Sequence, residues 1–167
     1  MKRLILFSIA LTLFACYNNK KEVEMPKVSN TDYVQAIYKA FSVGDIETVL
    51  AGFTDDIQWN EAENFIYADG NPYVGKDAIV SGVFQRIGEE WEYWNLVGIK
   101  TYNVESDKVL ATGRYQAKNK ANGKILDAQF AHFFTLKDSL ISSFQQFADT
   151  KQAAEVILVD SNQNSEE

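Results

Sequence analysis

The histidines and cysteines that would bind zinc or iron or cross-link the chain are almost missing. Among 167 residues there are one cysteine, one histidine, two prolines and two methionines. One histidine, no free cysteine if Cys16 is acylated, and no tight carboxylate cluster leave no ligand set for zinc or iron, so no metal is expected, and a lone cysteine forbids an internal disulfide. The nine glycines are scattered. No glycine-rich phosphate loop appears and no serine elbow accompanies the histidine, so neither a phosphate cradle of that kind nor a Ser-His-Asp triad is expected; no cofactor is expected. Basic residues are outnumbered 16 to 23, for a net charge of −7. Without a basic, aromatic stripe, nucleic acid is not an expected partner. Long hydrophobic runs are absent too. The greasiest stretch, Leu4 to Ala15, covers twelve residues, too few to span a bilayer.

What is present begins with that stretch. Lys2 and Arg3 precede it and Cys16 follows it, the layout of a secretory signal peptide over residues 1–15. Leu13-Phe14-Ala15-Cys16 resembles the lipobox of bacterial lipoproteins, in which a cysteine after a small residue becomes acylated. The resemblance implies a lipid on Cys16 and a cell-envelope location, anchored to a bacterial membrane and most simply the outer one. Residues 16–30, with "YNNKKEVEMPKVSN" after the cysteine, are polar and charged without a helical or strand period. They read as a tether. Loss of residues 1–15 removes two bases and no acid, so the remainder is more acidic still.

From residue 31 to 158 the pattern is that of one compact domain, 46% hydrophobic and 13% aromatic over the whole chain, large enough to bury a core. Thr31 and Asp32 can cap a helix with Val34, Ile37, Tyr38 and Phe41 on one stripe, and Gly44 stops it. Asp45 caps a second helix with Ile46, Val49, Leu50 and Phe53 at the same spacing. A short strand is expected over Ile57–Glu61, then a loop through Asp69-Gly70-Asn71-Pro72, then a third helix from Lys76 with Val80, Val83, Phe84 and Ile87 inward. After Gly88 the period switches to two, predicting strands over Trp91–Glu105, Lys108–Ala117, Lys124–Leu136 and Leu140–Ala148. A short helix over Lys151–Leu158 and a polar tail, 159–167, close the chain. The expected fold is α+β: three N-terminal helices packed in the concave face of a curved, mainly antiparallel sheet.

That element order, with "GDIETVLAGFTDDIQWNE", "YVGKDAI", "AHFFTLKD" and "FTLKDSLISSFQQFADT", resembles the nuclear transport factor 2-like superfamily. Within it the chain looks like the SnoaL-like branch related to ketosteroid isomerases. The resemblance implies a cone-shaped, cystatin-like α+β barrel with an apolar pocket and commonly a homodimer. It does not imply one reaction, because the cone hosts isomerases, cyclases, dehydratases, hydrolases and noncatalytic binding domains.

Candidate site residues follow from parity. Ile57, Trp59 and Glu61 share a strand face, so a carboxyl would stand among apolar groups, where desolvation raises its pKa toward neutrality. The catalytic aspartate of the ketosteroid isomerases corresponds to Glu61. Their oxyanion tyrosine corresponds to Ala36, with Tyr38 on another side of the turn, and their second acid to Gln129–Ala131, where no acid stands. Steroid isomerisation is therefore not expected. His132 alternates with Ala128, Phe130 and Phe134 and can relay a proton or simply fill the core. Asp149 in "FADT" matches a functional aspartate of SnoaL-like cyclases; it can equally cap the following helix. Gln145 shares its parity and would line the pocket for a carbonyl or hydroxyl, while Arg114 faces solvent. Trp59, Tyr67, Tyr73, Trp91 and Trp94 are expected as pocket wall or rim. The expectation is a membrane-anchored domain that binds a small hydrophobic molecule and acts on it by cofactor-independent acid/base chemistry through Glu61, His132 and Asp149. The alternative is a noncatalytic ligand- or protein-binding lipoprotein module.

Overall fold

The structure is a computed structural model and describes residues 28–157. The expected signal peptide, Cys16, the part of the expected tether before Val28 and the expected polar tail lie outside the described residues. Helix α1 spans Asn30–Ser42. Its cap is Ser29, two residues before the Thr31–Asp32 pair expected: the Ser29 hydroxyl accepts from the Asp32 N–H, and Asp32 sits in the first turn. The helix ends as Gly44 takes a positive φ of 74°, the left-handed conformation that glycine adopts without strain. Asp45 caps α2, Ile46–Ala51, by accepting from the Thr48 N–H.

Phe53 is not the fourth position of that helix. It opens strand β1, Phe53–Asn60, which starts earlier than the alternation alone suggested and stops one residue before Glu61. The segment expected as a plain loop contains a two-residue strand, β2 (Tyr73–Val74), paired antiparallel with β1 at Gln58 and Trp59. The third helix runs as α3 (Lys76–Ile79), a wide π-helical stretch (Val80–Phe84) and α4 (Gln85–Glu90). Ile79 and Val83 are buried one turn apart, and Phe84 and Ile87 pack beside them.

The long strands are β3 (Trp91–Glu105), β4 (Lys108–Asn119), β5 (Ile125–Lys137) and β6 (Leu140–Ala148), followed by α5 (Thr150–Ile157). The sheet order is β2-β1-β6-β5-β4-β3. Every pairing is antiparallel except β1 with β6. The helices pack on one face of this curved sheet: α1 lies against β3 and β4, α2 against β1, α4 against β3.

One irregularity in β6 decides which side chains meet the helices. Thr135 pairs with Ser143 but Leu136 pairs with Ile141, so Ser142 is an extra residue, a β-bulge that reverses inward and outward beyond it. Ile141 and Phe144, three apart, are both buried, and Gln146 follows at 3% exposure. The expectation that Gln145 and Asp149 face inward is therefore corrected.

Candidate functional site

Between α1, the Val80–Phe84 turn and the concave face of the sheet lies a cavity of about 70 Å³. One water needs roughly 10–15 Å³ on this scale, so the space holds several waters or a small organic group. Most of the wall is aromatic or aliphatic, and the groups in it that carry a hydroxyl, carboxyl, imidazole or amide are Tyr38, Glu61, Tyr67, His132 and Gln146.

Glu61 reaches the cavity because β1 keeps its alternation for one residue past its last sheet position. Asn71 holds it there: its Oδ1 accepts from the Glu61 N–H at 2.9 Å and its Nδ2 donates to the Glu61 carbonyl at 2.8 Å. The side chain is 3% exposed. Trp59, stacked on Phe144 with ring centroids 3.6 Å apart, donates its indole N–H to Glu61 Oε1 at 2.6 Å. The other oxygen, Oε2, is buried and has no partner of hydrogen-bond geometry among the described residues; the Gln146 amide lies near the carboxyl and favours its charged form, but its nitrogen is aligned on Tyr115. Burial raises the Glu61 pKa to about 7, and the Trp59 indole, the Gln146 amide and the Arg86 charge oppose the rise.

A second polar line runs along the sheet. The Ala62 N–H donates to Gln146 Oε1 at 3.0 Å, and Gln146 Nε2 donates to the Tyr115 hydroxyl at 2.8 Å. Tyr115 Oη stands 2.6 Å from His132 Nε2, and His132 Nδ1 stands 2.7 Å from Tyr38 Oη. Burial lowers the His132 pKa to about 3, so the ring is neutral near pH 7. Both tyrosine hydroxyls are pushed well above the usual range, again by burial.

At the end nearer β2, Tyr67 closes the wall. Its hydroxyl donates to Glu90 Oε2 at 2.9 Å and accepts from the Trp91 indole at 2.7 Å. Arg86 lies over its ring, 4.4 Å from the centroid, and binds Asp69 and the Ile66 carbonyl.

The candidates from sequence divide accordingly. Glu61, His132, Trp59, Tyr67 and Trp94 line the cavity. Gln145 does not: it lies on the outer side of β6 beyond the bulge, its amide donating to the Gln146 carbonyl. Asp149 is also outside, capping α5 through the Gln152 N–H and binding the Gln152 amide. Tyr73 is buried away from the cavity, wedged against Gly70 and Gly82, where any Cβ would collide with its ring, and it donates to the Tyr67 carbonyl. Trp91 is a hydrogen-bond donor in the core, and Arg114 pairs with Asp127 on the exposed side, as its parity implied. Sequence reasoning missed Tyr38, Gln146, Tyr115 and Asn71. The stripe Val34, Ile37, Tyr38 and Phe41 carried the signal for Tyr38, and Ala36, the position used to set it aside, is exposed. No cluster of three metal-ligating side chains occurs among the described residues.

Fold and site together define a cone-shaped α+β domain built around an internal apolar cavity, the architecture of the NTF2-like superfamily. A family model for the SnoaL-like domain matches residues 34–144, and the chain belongs to that family. Among solved structures it is similar to an NTF2-like protein from Burkholderia thailandensis E264, at 28% identity and a TM-score of 0.72, covering 78% of this chain and 98% of that one. It is similar in fold to a candidate polyketide cyclase from Pseudomonas putida KT2440 (17% identity, TM-score 0.68, 79% and 100% covered). TerC, co-crystallized with polyporic acid, is similar in fold as well (20% identity, TM-score 0.67, 76% and 96% covered). No curated protein matches the chain in sequence.

Proposed function

We propose that the domain binds a small, largely apolar carbonyl compound in the cavity and moves a proton on it without a cofactor, Glu61 taking and returning that proton. The observation that carries this reading is Glu61 Oε2, a buried carboxyl oxygen with no partner of hydrogen-bond geometry among the described residues, in the wall of an apolar cavity. Leaving such an atom unsatisfied costs about 1–3 kcal/mol, a cost that folding alone gives no reason to keep. With a pKa of about 7 the group is divided between base and acid near neutrality, which suits general base catalysis. The fold likeness to a candidate polyketide cyclase and to TerC supports a ring-bearing or oxygenated organic substrate.

The test is hydrogen exchange alpha to a carbonyl. A series of cyclic ketones in deuterated buffer is followed by NMR with wild type and with Glu61→Gln. Faster α-deuteration by wild type, abolished in the variant, is expected; equal rates for both remove the catalytic role.

A second reading, a noncatalytic binding module, is favoured by the fact that most of the wall is apolar and that Tyr67, His132 and Gln146 already have partners. Native mass spectrometry showing a retained ligand without any exchange activity would select it. In either case we propose that a lipid on Cys16 tethers the domain to a bacterial membrane. That part rests on the N-terminal sequence. No helix among the described residues is long and apolar enough to cross a membrane.

A further inference from the structure

The Ala62–Gln146–Tyr115–His132–Tyr38 line has a direction that its end groups fix. The Ala62 N–H is a backbone donor and can only give, so the Gln146 oxygen faces it and the Gln146 nitrogen faces Tyr115. Tyr115 therefore cannot give its proton to Gln146. Among the described residues the remaining acceptor in reach of its hydroxyl is His132 Nε2, at 2.6 Å. If Tyr115 donates there, the single proton of the neutral ring sits on Nδ1 and is donated to the Tyr38 oxygen, at 2.7 Å. The reverse arrangement would strand the Tyr115 proton without an acceptor in a site only 3% exposed, a cost that folding avoids. The forward arrangement strands none there, and its last proton, on Tyr38, borders the cavity.

We infer that Gln146, Tyr115 and His132 form a one-way hydrogen-bond relay whose purpose is to fill the Tyr38 oxygen and leave the Tyr38 O–H as a donor toward whatever occupies the cavity. Gln146, Tyr115 and His132 are positioning residues in this scheme, and His132 transfers no proton. The consequence for the occupant rests on the reading of Glu61 given above. The cavity offers one hydroxyl donor at Tyr38 and one carboxyl acceptor at Glu61 Oε2, so it selects a molecule with an oxygen acceptor at one end and an acidic C–H or O–H at the other. Tyr38 would stabilise negative charge that develops on that oxygen as Glu61 removes the proton.

The relay is tested on the protein with no substrate present, so an absence of turnover does not bear on it. Long-range proton–nitrogen NMR correlations of His132 report which ring nitrogen carries the proton. The expected result is an Nδ1–H tautomer that persists unchanged from pH 5 to 8; an Nε2–H tautomer, or a ring that becomes charged in that range, overturns the proposal. Tyr115→Phe provides a second readout: it should shift the Nε2 resonance as the donated hydrogen bond disappears, and an unmoved Nε2 resonance would show that Tyr115 gives nothing to the ring. The wild-type tautomer decides the matter even if that variant does not fold.

Discussion

The Asn71 carboxamide closes two hydrogen bonds on the backbone of Glu61, accepting from its N–H at 2.9 Å and donating to its carbonyl at 2.8 Å. A turn residue ten positions away thus fixes where the carboxyl emerges from the end of β1. Strand pairing cannot do this, because β1 ends at Asn60.

Removing that clamp should cost stability and aim. Asn71→Ala is expected to destabilise by about 1–2 kcal/mol, the sum of two modest hydrogen bonds at a partly buried site, and to lower any proton-transfer rate at Glu61. Thermal melts check the first part. A variant that melts like wild type would mean that packing alone holds the segment.

Glu61 should make stability fall as pH rises. Its carboxyl holds its proton up to about 7 in the folded chain, against 4.5 for an ordinary glutamate. Below pH 4.5 the group is protonated whether folded or not and adds nothing. Between 4.5 and 7 the unfolded chain has lost the proton while the fold keeps it, so stability drops with each step of pH, and above 7 the full penalty of roughly 3 kcal/mol is in force. Glu61→Gln keeps the acceptor for Trp59 and lacks this titration. Urea unfolding of both proteins at pH 5 and pH 8 should show the variant gaining on wild type as pH rises. A constant difference contradicts the buried, half-partnered carboxyl.

His132 works in the opposite sense. Its folded pKa of about 3 lies below the usual 6.5 because burial disfavours the cation. Its contribution is complete above pH 6.5 and is lost as pH falls from 6.5 toward 3, where the unfolded chain takes up a proton that the fold refuses. His132→Phe removes this acid sensitivity but strands the Tyr115 hydroxyl, so it should be less stable than wild type at pH 7 by about 1–3 kcal/mol, with the gap narrowing at pH 5. A gap that does not change with pH would place the protonation elsewhere.

The outer face of the sheet offers material for pairing. Phe147 is 56% exposed, beside Ala131 and Ala148. Light scattering on the chain from Val28 onward is expected to report a homodimer, and Phe147→Glu to shift it toward monomer. A monomer at micromolar wild-type concentrations refutes the pairing.

Lipidation is checked in cells. A palmitate analogue should label the full chain and leave Cys16→Ser unlabelled; labelling of both would end the anchor reading.

Periodicity determined the helices-then-sheet layering of this protein, but not the start of β1 at Phe53, the strand β2 or the π-helical stretch. The stripe of Val34 to Phe41, the inward residues Ile79, Val83, Phe84 and Ile87, and the two-residue alternation after Gly88 each bury one face, so the helices had no cover to find except the sheet. The inward placement of Glu61 and His132 followed from the same alternation, because parity survives where a strand is regular. What only the tertiary structure decided lies where regularity breaks or where partners are distant in sequence. The extra residue at Ser142 turned Gln146 inward and Gln145 and Asp149 outward, and paired like residues, Ser142-Ser143 and Gln145-Gln146 on either side of Phe144, leave the parity undecided in the sequence. Tyr38 and His132 are 94 positions apart. Their meeting, and with it the line of hydrogen bonds that begins at Ala62, depends on how α1 crosses β4 and β5, a relation set by packing of the whole core.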